Sequence, residues 1–209
     1  MSDRAGITRR GLFRGIGTAG LLAGCKPSER PPTTTDDPGA AASPGEETAV
    51  GPGPAPLSFT LNGEAKTLEV APNITLLAAL REQLRFTGTK VVCDRGACGA
   101  CTVLIDGVPR NSCMTLAHDV AGAAVTTVEG LASGGKLSVL QQAFVRNDAL
   151  QCGFCTSGML MSCQGLLERT RGQKLAREDV EAAIAGNLCR CGTYPNVVAA
   201  VLEAAGGSA

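Results

Sequence analysis

The chain of 209 residues has no tryptophan, one tyrosine, five phenylalanines and one histidine. With aromatics at 3%, it lacks the stacking platforms of single-strand nucleic-acid binders and the aromatic lining of many small-molecule pockets. Nineteen basic and nineteen acidic residues leave no net charge, so no field draws it to nucleic acid or to an anionic membrane surface. Its partners are expected to be proteins. The single histidine, His118, excludes a Rieske-type centre, which needs two. Lying near a turn, His118 is expected to be exposed or capping, without chemistry. No serine triad, paired catalytic carboxylates or phosphate-cradling loop stands out. The pairs Asp36-Asp37 and Glu46-Glu47 fall in a polar stretch where solvated acids are the default. The one apolar run near the N-terminus, ending at Gly24, is glycine-diluted and too short to span a bilayer.

Cysteine, by contrast, is plentiful, with ten in the chain. Cys93, Cys98 and Cys101, with Cys113 downstream, follow the C-x(4)-C-x(2)-C spacing of a plant-type 2Fe-2S cluster. Gly96 and Gly99 within that loop let the backbone curl closely and aim amides at sulfur. A second set pairs Cys152-Gly153-Phe154-Cys155 with Cys189-Arg190-Cys191, two clips that must converge in space. Structural zinc also takes four cysteines, but the C-x(4)-C-x(2)-C loop is less usual for it. A disulfide framework suits the count, yet Cys189 and Cys191 are too close to pair comfortably. Cys163 shares a helical stripe with Met159, Leu160, Leu166 and Leu167 and is expected to be a buried hydrophobe.

The N-terminus reads as an address. Thr8-Arg9-Arg10-Gly11-Leu12-Phe13-Arg14 has the form of a twin-arginine export signal. Leu22-Ala23-Gly24-Cys25 resembles a lipoprotein cleavage site, which makes Cys25 the expected lipid-bearing residue of a periplasmic, membrane-tethered protein. Export of folded protein fits cluster insertion in the reducing cytoplasm. Residues 26–56, rich in Pro, Ala and Thr, cannot form a core. They are expected to be a tether reaching on the order of 90 Å at most.

Folded structure is expected from Leu57. Leu57–Leu61 and Lys66–Val70 alternate at strand period around Asn62-Gly63, a hairpin signal. Leu76, Leu77, Leu80 and Leu84 predict a helix capped by Asn73 or Thr75. Cys101–Ile105 and Val125–Val128 predict further strands. From about Leu137 the period becomes helical, through Leu140, Phe144 and Val145, then Met159 to Leu167, then Val180, Ala183 and Ile184, then Val197 to Leu202. The expected class is α+β. Residues 57–132 form a β-grasp ferredoxin domain and residues 133–209 a helical domain holding the second cluster.

Gly88-Thr89-Lys90 before the first loop, Gln151–Met159, and Gly186–Tyr194 together resemble the iron-sulfur small subunits of the molybdenum hydroxylases. That is the xanthine dehydrogenase and aldehyde oxidoreductase family. The resemblance covers about residues 57 to 205 and is nearest in style to exported aldehyde oxidoreductase subunits. It is also similar to isoquinoline oxidoreductase around Cys189–Tyr194. It implies an electron-transfer subunit with no catalytic residues of its own. A large partner subunit holds molybdopterin, in bacteria commonly the cytosine dinucleotide form, and oxidises an aldehyde or a N-heterocycle. By family pattern, Cys152, Cys155, Cys189 and Cys191 hold the cluster proximal to molybdenum. Cys93, Cys98, Cys101 and Cys113 hold the distal one, nearer an FAD subunit or a c-type cytochrome. Gln151 and Cys191 match positions that contact the pterin, although a helix-cap role for Gln151 is the plainer alternative. Ser157 in place of a common proline, and the order Gly192-Thr193-Tyr194-Pro195, depart from xanthine dehydrogenase proper toward the aldehyde and isoquinoline branches. The rival readings are a standalone lipid-tethered two-cluster ferredoxin and a structural zinc module.

Overall fold

The computed structural model describes residues 51–206 apart from 172. The twin arginines, Cys25 and the tether as far as residue 50 lie outside the described residues, as do 207–209.

Strand β1 (Ala55–Leu61) and strand β2 (Glu64–Val70) form an antiparallel hairpin. Asn62 at φ 51° and Gly63 at φ 86° make the two-residue turn, whose left-handed geometry matches strand twist. Leu57, Phe59 and Leu61 face inward, as their alternation predicts. The predicted helix after Asn73 is short. Thr75 Oγ1 accepts from the Ala78 amide at 3.2 Å and starts α1 (Leu76–Ala78), which widens into a π-helical turn over Ala79–Gln83. The Leu84 amide reaches Ala79 O at 3.1 Å, and Phe86 reaches Leu80 O at 2.9 Å. Arg81 then donates to the carbonyls of Thr87 and Thr89 at 2.8 and 2.7 Å, which ties this turn to the approach to Cys93.

After the first cysteine loop come β3 (Thr102–Ile105) and β4 (Val108–Asn111), joined by a second turn with φ 50° at Asp106 and 78° at Gly107. Strand β5 (Ala124–Thr126) completes a five-stranded mixed sheet ordered β2-β1-β5-β3-β4, with β5 parallel to β1. Its expected continuation to Val128 is replaced by a 3-10 turn over Val128–Leu131. The Thr127 amide is taken by Asn62 Oδ1 at 2.8 Å, so it does not continue the ladder. His118 lies on a 3-10 turn (Ala117–Val120), its ring Nε2 3.3 Å from Val70 O.

Four helices follow, α2 (Val139–Arg146), α3 (Thr156–Arg169), α4 (Arg177–Ile184) and α5 (Tyr194–Ala204). Ser138 and Gln141 form a reciprocal capping box at the start of α2, and Pro195 occupies the first turn of α5, where its missing N–H has no helical acceptor to lose. One core lies on the sheet, around Phe59, Leu76, Leu80, Val103 and Val125. Another lies among the helices, around Phe144, Met159, Leu166, Ile184 and Val201. Helix α3 joins them. Ser157 to Cys163, with Gly165 and Leu166, are buried along it. Gly165 lets it sit on the β3–β4 hairpin, since a Cβ there would come 2.5 Å from Pro109 Cγ. Among the described residues, no helix is long and apolar enough to cross a membrane.

Candidate iron-sulfur centres

The first cysteine set sits on the loop from Cys93 to Cys101 and on the 3-10 turn at Ser112–Met114 that follows β4. Asp94, Gly96 and Gly99 take φ of 52°, 72° and 68°, which folds the loop tightly and turns its amides inward. The Arg95 amide, followed by the Cys98 thiol, stabilises the Cys93 thiolate and brings its pKa down to about 7. The Gly96 amide donates to Cys113 Sγ at 3.2 Å. Burial, with Cys113 alongside, pushes the Cys101 thiol up to about 11. The loop is braced from below. Thr102 Oγ1 donates to Gly99 O at 2.7 Å, Asn111 Nδ2 to Gly96 O at 3.1 Å, and Ser112 Oγ to Cys101 O at 2.7 Å.

The second set converges from two clips. Cys152 and Cys155 lead into α3, with Cys155 at its N-cap, while Cys189 and Cys191 lie between α4 and α5. Gly153 at φ 85° and Gly192 at φ 76° make the two reversals. The sulfurs of Cys152 and Cys191 are 3.6 Å apart. Burial and the neighbouring Cys189 push the Cys155 thiol up to about 12. Burial also acts to raise Cys189, but Thr193, through its hydroxyl 3.2 Å from Sγ and its amide, outweighs it together with Cys155 and the Cys191 amide, leaving a value of about 7. Two helix N-termini therefore meet here, α3 at Cys155 and α5 at Thr193; the positive end at Thr193 favours the Cys189 thiolate, while at Cys155 burial outweighs that of α3.

The leading sulfur–sulfur interactions join Cys93 to Cys98, Cys101 to Cys113, Cys152 to Cys191 and Cys155 to Cys189, and in the second set Cys155 also feels Cys152 and Cys191 also feels Cys189. Two thiolates per iron is what a 2Fe-2S group takes from four cysteines. The donor set, pairing and inward amides fit two 2Fe-2S groups. Cys163 stands apart, fully buried in the helical core, where burial drives its thiol up to about 12. Gln151 is exposed next to exposed Cys152.

Several supporting residues lie within the Gly186–Tyr194 stretch, although its pattern assigns them no contact. Tyr194, the only tyrosine, accepts from the Cys189 amide at 2.8 Å and donates to Asn187 O at 3.1 Å. Asn187 reaches across to Gly99 O at 3.0 Å, and the Leu188 amide reaches Cys98 O at 2.9 Å. The two loops are therefore directly hydrogen-bonded to each other.

Residues 59–126 match the family described as the 2Fe-2S iron-sulfur cluster binding domain, and residues 127–202 match the [2Fe-2S] binding domain. The aldehyde oxidoreductase iron-sulfur-binding subunit PaoA of Escherichia coli K12 is 42% identical over 164 residues, 72% of each chain. The nicotine 6-hydroxylase small subunit of Paenarthrobacter nicotinovorans is 49% identical over 150 residues, 72% of this chain and 89% of that one. The crystal structure of quinoline 2-oxidoreductase from Pseudomonas putida 86 contains a chain 44% identical, with a TM-score of 0.68, covering 73% of this chain and 93% of that chain. The chain belongs to the 2Fe-2S small subunits of the molybdenum hydroxylases. As such a small subunit, it transfers electrons within an oxidoreductase whose substrate chemistry lies on partner subunits. The small subunit has the expected α+β composition, with a mixed sheet followed by helices.

Proposed function

We propose that this small subunit carries electrons, one at a time, from a molybdopterin centre on a large partner subunit to an FAD subunit or a c-type cytochrome while an aldehyde is oxidised. In this reading residues 57–132 are a β-grasp ferredoxin domain and residues 133–209 a helical domain, each with one cysteine set. Cys152, Cys155, Cys189 and Cys191 would hold the proximal group, and Cys93, Cys98, Cys101 and Cys113 the distal one. A 2Fe-2S group held by either set supplies a carrier that takes and returns a single electron.

The observation that carries this reading is the direct hydrogen bonding of the two cysteine loops, through Leu188 to Cys98 and Asn187 to Gly99. A relay needs its two stations close and rigidly spaced. The protein's own part is to hold thiolates with aimed amides and to keep Cys98, Cys101 and Cys155 out of water, because amides to sulfur and exposure set a cluster's potential. At the second set the edge formed by Gln151, Cys152 and Phe154 is open, with Phe154 60% exposed. That openness supports the assignment of Gln151 and Cys191 as pterin contacts, on a cofactor we take to be the cytosine dinucleotide form.

The aldehyde reading is supported by PaoA, which is named as an aldehyde oxidoreductase subunit. The relatives named for nicotine and quinoline support a N-heterocycle as the second reading. Export by the twin-arginine route, with lipid on Cys25 as a membrane tether, rests on Thr8–Arg14 and on Leu22–Cys25. The test is iron, sulfide and metal analysis with low-temperature electron paramagnetic resonance, on the dithionite-reduced protein purified with whatever accompanies it. About four irons per chain and two distinct signals, with a molybdenum-containing partner, are expected. Zinc without a signal, or a chain that always purifies alone, would sink the proposal.

A further inference from the structure

The two cysteine loops meet along a seam with Asn187 at its centre. Asn187 is 4% exposed. Its Nδ2 donates to Gly99 O at 3.0 Å, and its Oδ1 accepts from Ser162 Oγ of α3 at 2.8 Å. Its own carbonyl accepts from Tyr194 at 3.1 Å, and that same hydroxyl accepts from the Cys189 amide at 2.8 Å. One residue therefore ties together three parts, its side chain binding the first loop between Cys98 and Cys101 and helix α3, and its carbonyl reaching the frame of Cys189 through Tyr194. The neighbouring Leu188 amide completes the seam at Cys98 O, 2.9 Å away. Gly99 admits this approach. A Cβ there would lie 2.6 Å from both Asn187 Nδ2 and Gly186 O.

We propose that Asn187 is a positioning residue that fixes the two cysteine loops relative to each other and thereby sets the electronic coupling between the two centres. The inference rests on the reading that both sets hold 2Fe-2S groups. A side-chain amide suits the task because it donates and accepts at once. An aspartate of the same shape can still accept from Ser162, but it offers Gly99 O no donor and sets a negative charge against a carbonyl. The Leu188–Cys98 bond, made by the next residue, then loses its register. Electron tunnelling falls steeply with the gap between bonded paths, so a small slip between the loops matters more to coupling than to folding.

The test uses the full chain reconstituted with iron and sulfide, as wild type, Asn187→Asp, Asn187→Ser and Ser162→Ala. Iron content is measured first. The readouts are the magnetic splitting between the two fully reduced centres and hydrogen exchange at the Leu188 amide. In Asn187→Asp with full iron, the splitting is expected to weaken and the amide to exchange roughly tenfold faster, as loss of a buried hydrogen bond implies. Ser162→Ala leaves the bond to Gly99 in place and is expected to change exchange by no more than about threefold. Wild-type splitting and protection in iron-loaded Asn187→Asp would overturn the inference. So would loss of iron in both Asn187 variants, since Asn187 would then build the centres and not merely space them. A wild-type chain without 2Fe-2S signals would instead overturn the underlying assignment, and this inference with it.

Discussion

Thiol acidity separates the cysteines along a physical line. Cys93 and Cys189 lie at about 7, while burial raises Cys101 to about 11 and Cys155 and Cys163 to about 12. Thiolate is the reactive form, so in iron-stripped chain a short iodoacetamide pulse should label Cys93 and Cys189 with a rise through pH 7. Cys101, Cys155 and Cys163 should stay unlabelled to pH 9. Mass mapping across that range checks the order, and early labelling of Cys155 would contradict it. Cluster loading must displace the protons held on Cys101 and Cys155, so reconstitution should release protons and weaken as the pH falls. Substitution separates the roles further. Cys191→Ser should lose the signal of the second centre and uncouple substrate oxidation from reduction of the acceptor in the native complex. Cys163→Ala should keep all its iron and cost about 1 kcal/mol in denaturant unfolding, from a small buried void.

At the scale of elements, the decisive contact is helix α3 against the first cysteine loop. A Cβ on Gly158 would run into Gly99 O and stand 2.9 Å from Ala100 Cα, and backbone cannot give way as a side chain can. Gly158→Ala should therefore cost about 3 kcal/mol, measured by urea unfolding. Gly153→Ala, which meets nothing within 4 Å but sits at φ 85°, should cost only about 1 kcal/mol of backbone strain. Equal costs would mean that α3 has room to move. This contrast also marks what the sequence conveys. The cysteine spacings are read directly because ligand geometry constrains near neighbours, and Asn62-Gly63 announces its turn because its backbone demands are local. Gly158 and Asn187 act on Gly99 from 59 and 88 positions away, and no local pattern records that. The stripe Leu76, Leu77, Leu80 and Leu84 shows an apolar face but cannot tell an α-helix from the π-helical turn that follows Ala78, since both bury that face. Strand β4, with Val108 exposed and Arg110 outward, is an edge whose burial pattern gives little to read.

For the whole molecule, two cluster-binding families meet at residue 126, yet the physical boundary is not there. Helix α3 buries Leu160, Cys163 and Leu166 among the helices and lays Gly158 and Gly165 against the sheet portion. The Leu188–Cys98 and Asn187–Gly99 bonds cross the same divide. The far end of the helical part is held by Glu203, whose carboxylate bonds Asn147 at 2.6 Å and Arg146 at 2.7 Å. Asn147, then Arg146, hold its pKa below the usual 4.5. A depressed carboxyl stabilises the fold above its unfolded value, and that contribution is lost as the pH falls through the folded one. Glu203→Gln should therefore lower stability at pH 7, where the contribution is complete, and should bring the variant and wild type together as the pH falls below about 4.5. Because the two parts share α3 and the seam, each lacks a covered face when alone. Unfolding of the iron-loaded chain in urea should then be a single transition, with the visible circular dichroism of both centres and the far-ultraviolet helix signal lost together. Fragments 57–132 and 133–206 expressed apart should show no cooperative transition. Two separated transitions in the intact chain would mean that the centres ride on independent bodies, and a fixed spacing between them could not then be a property of this subunit alone.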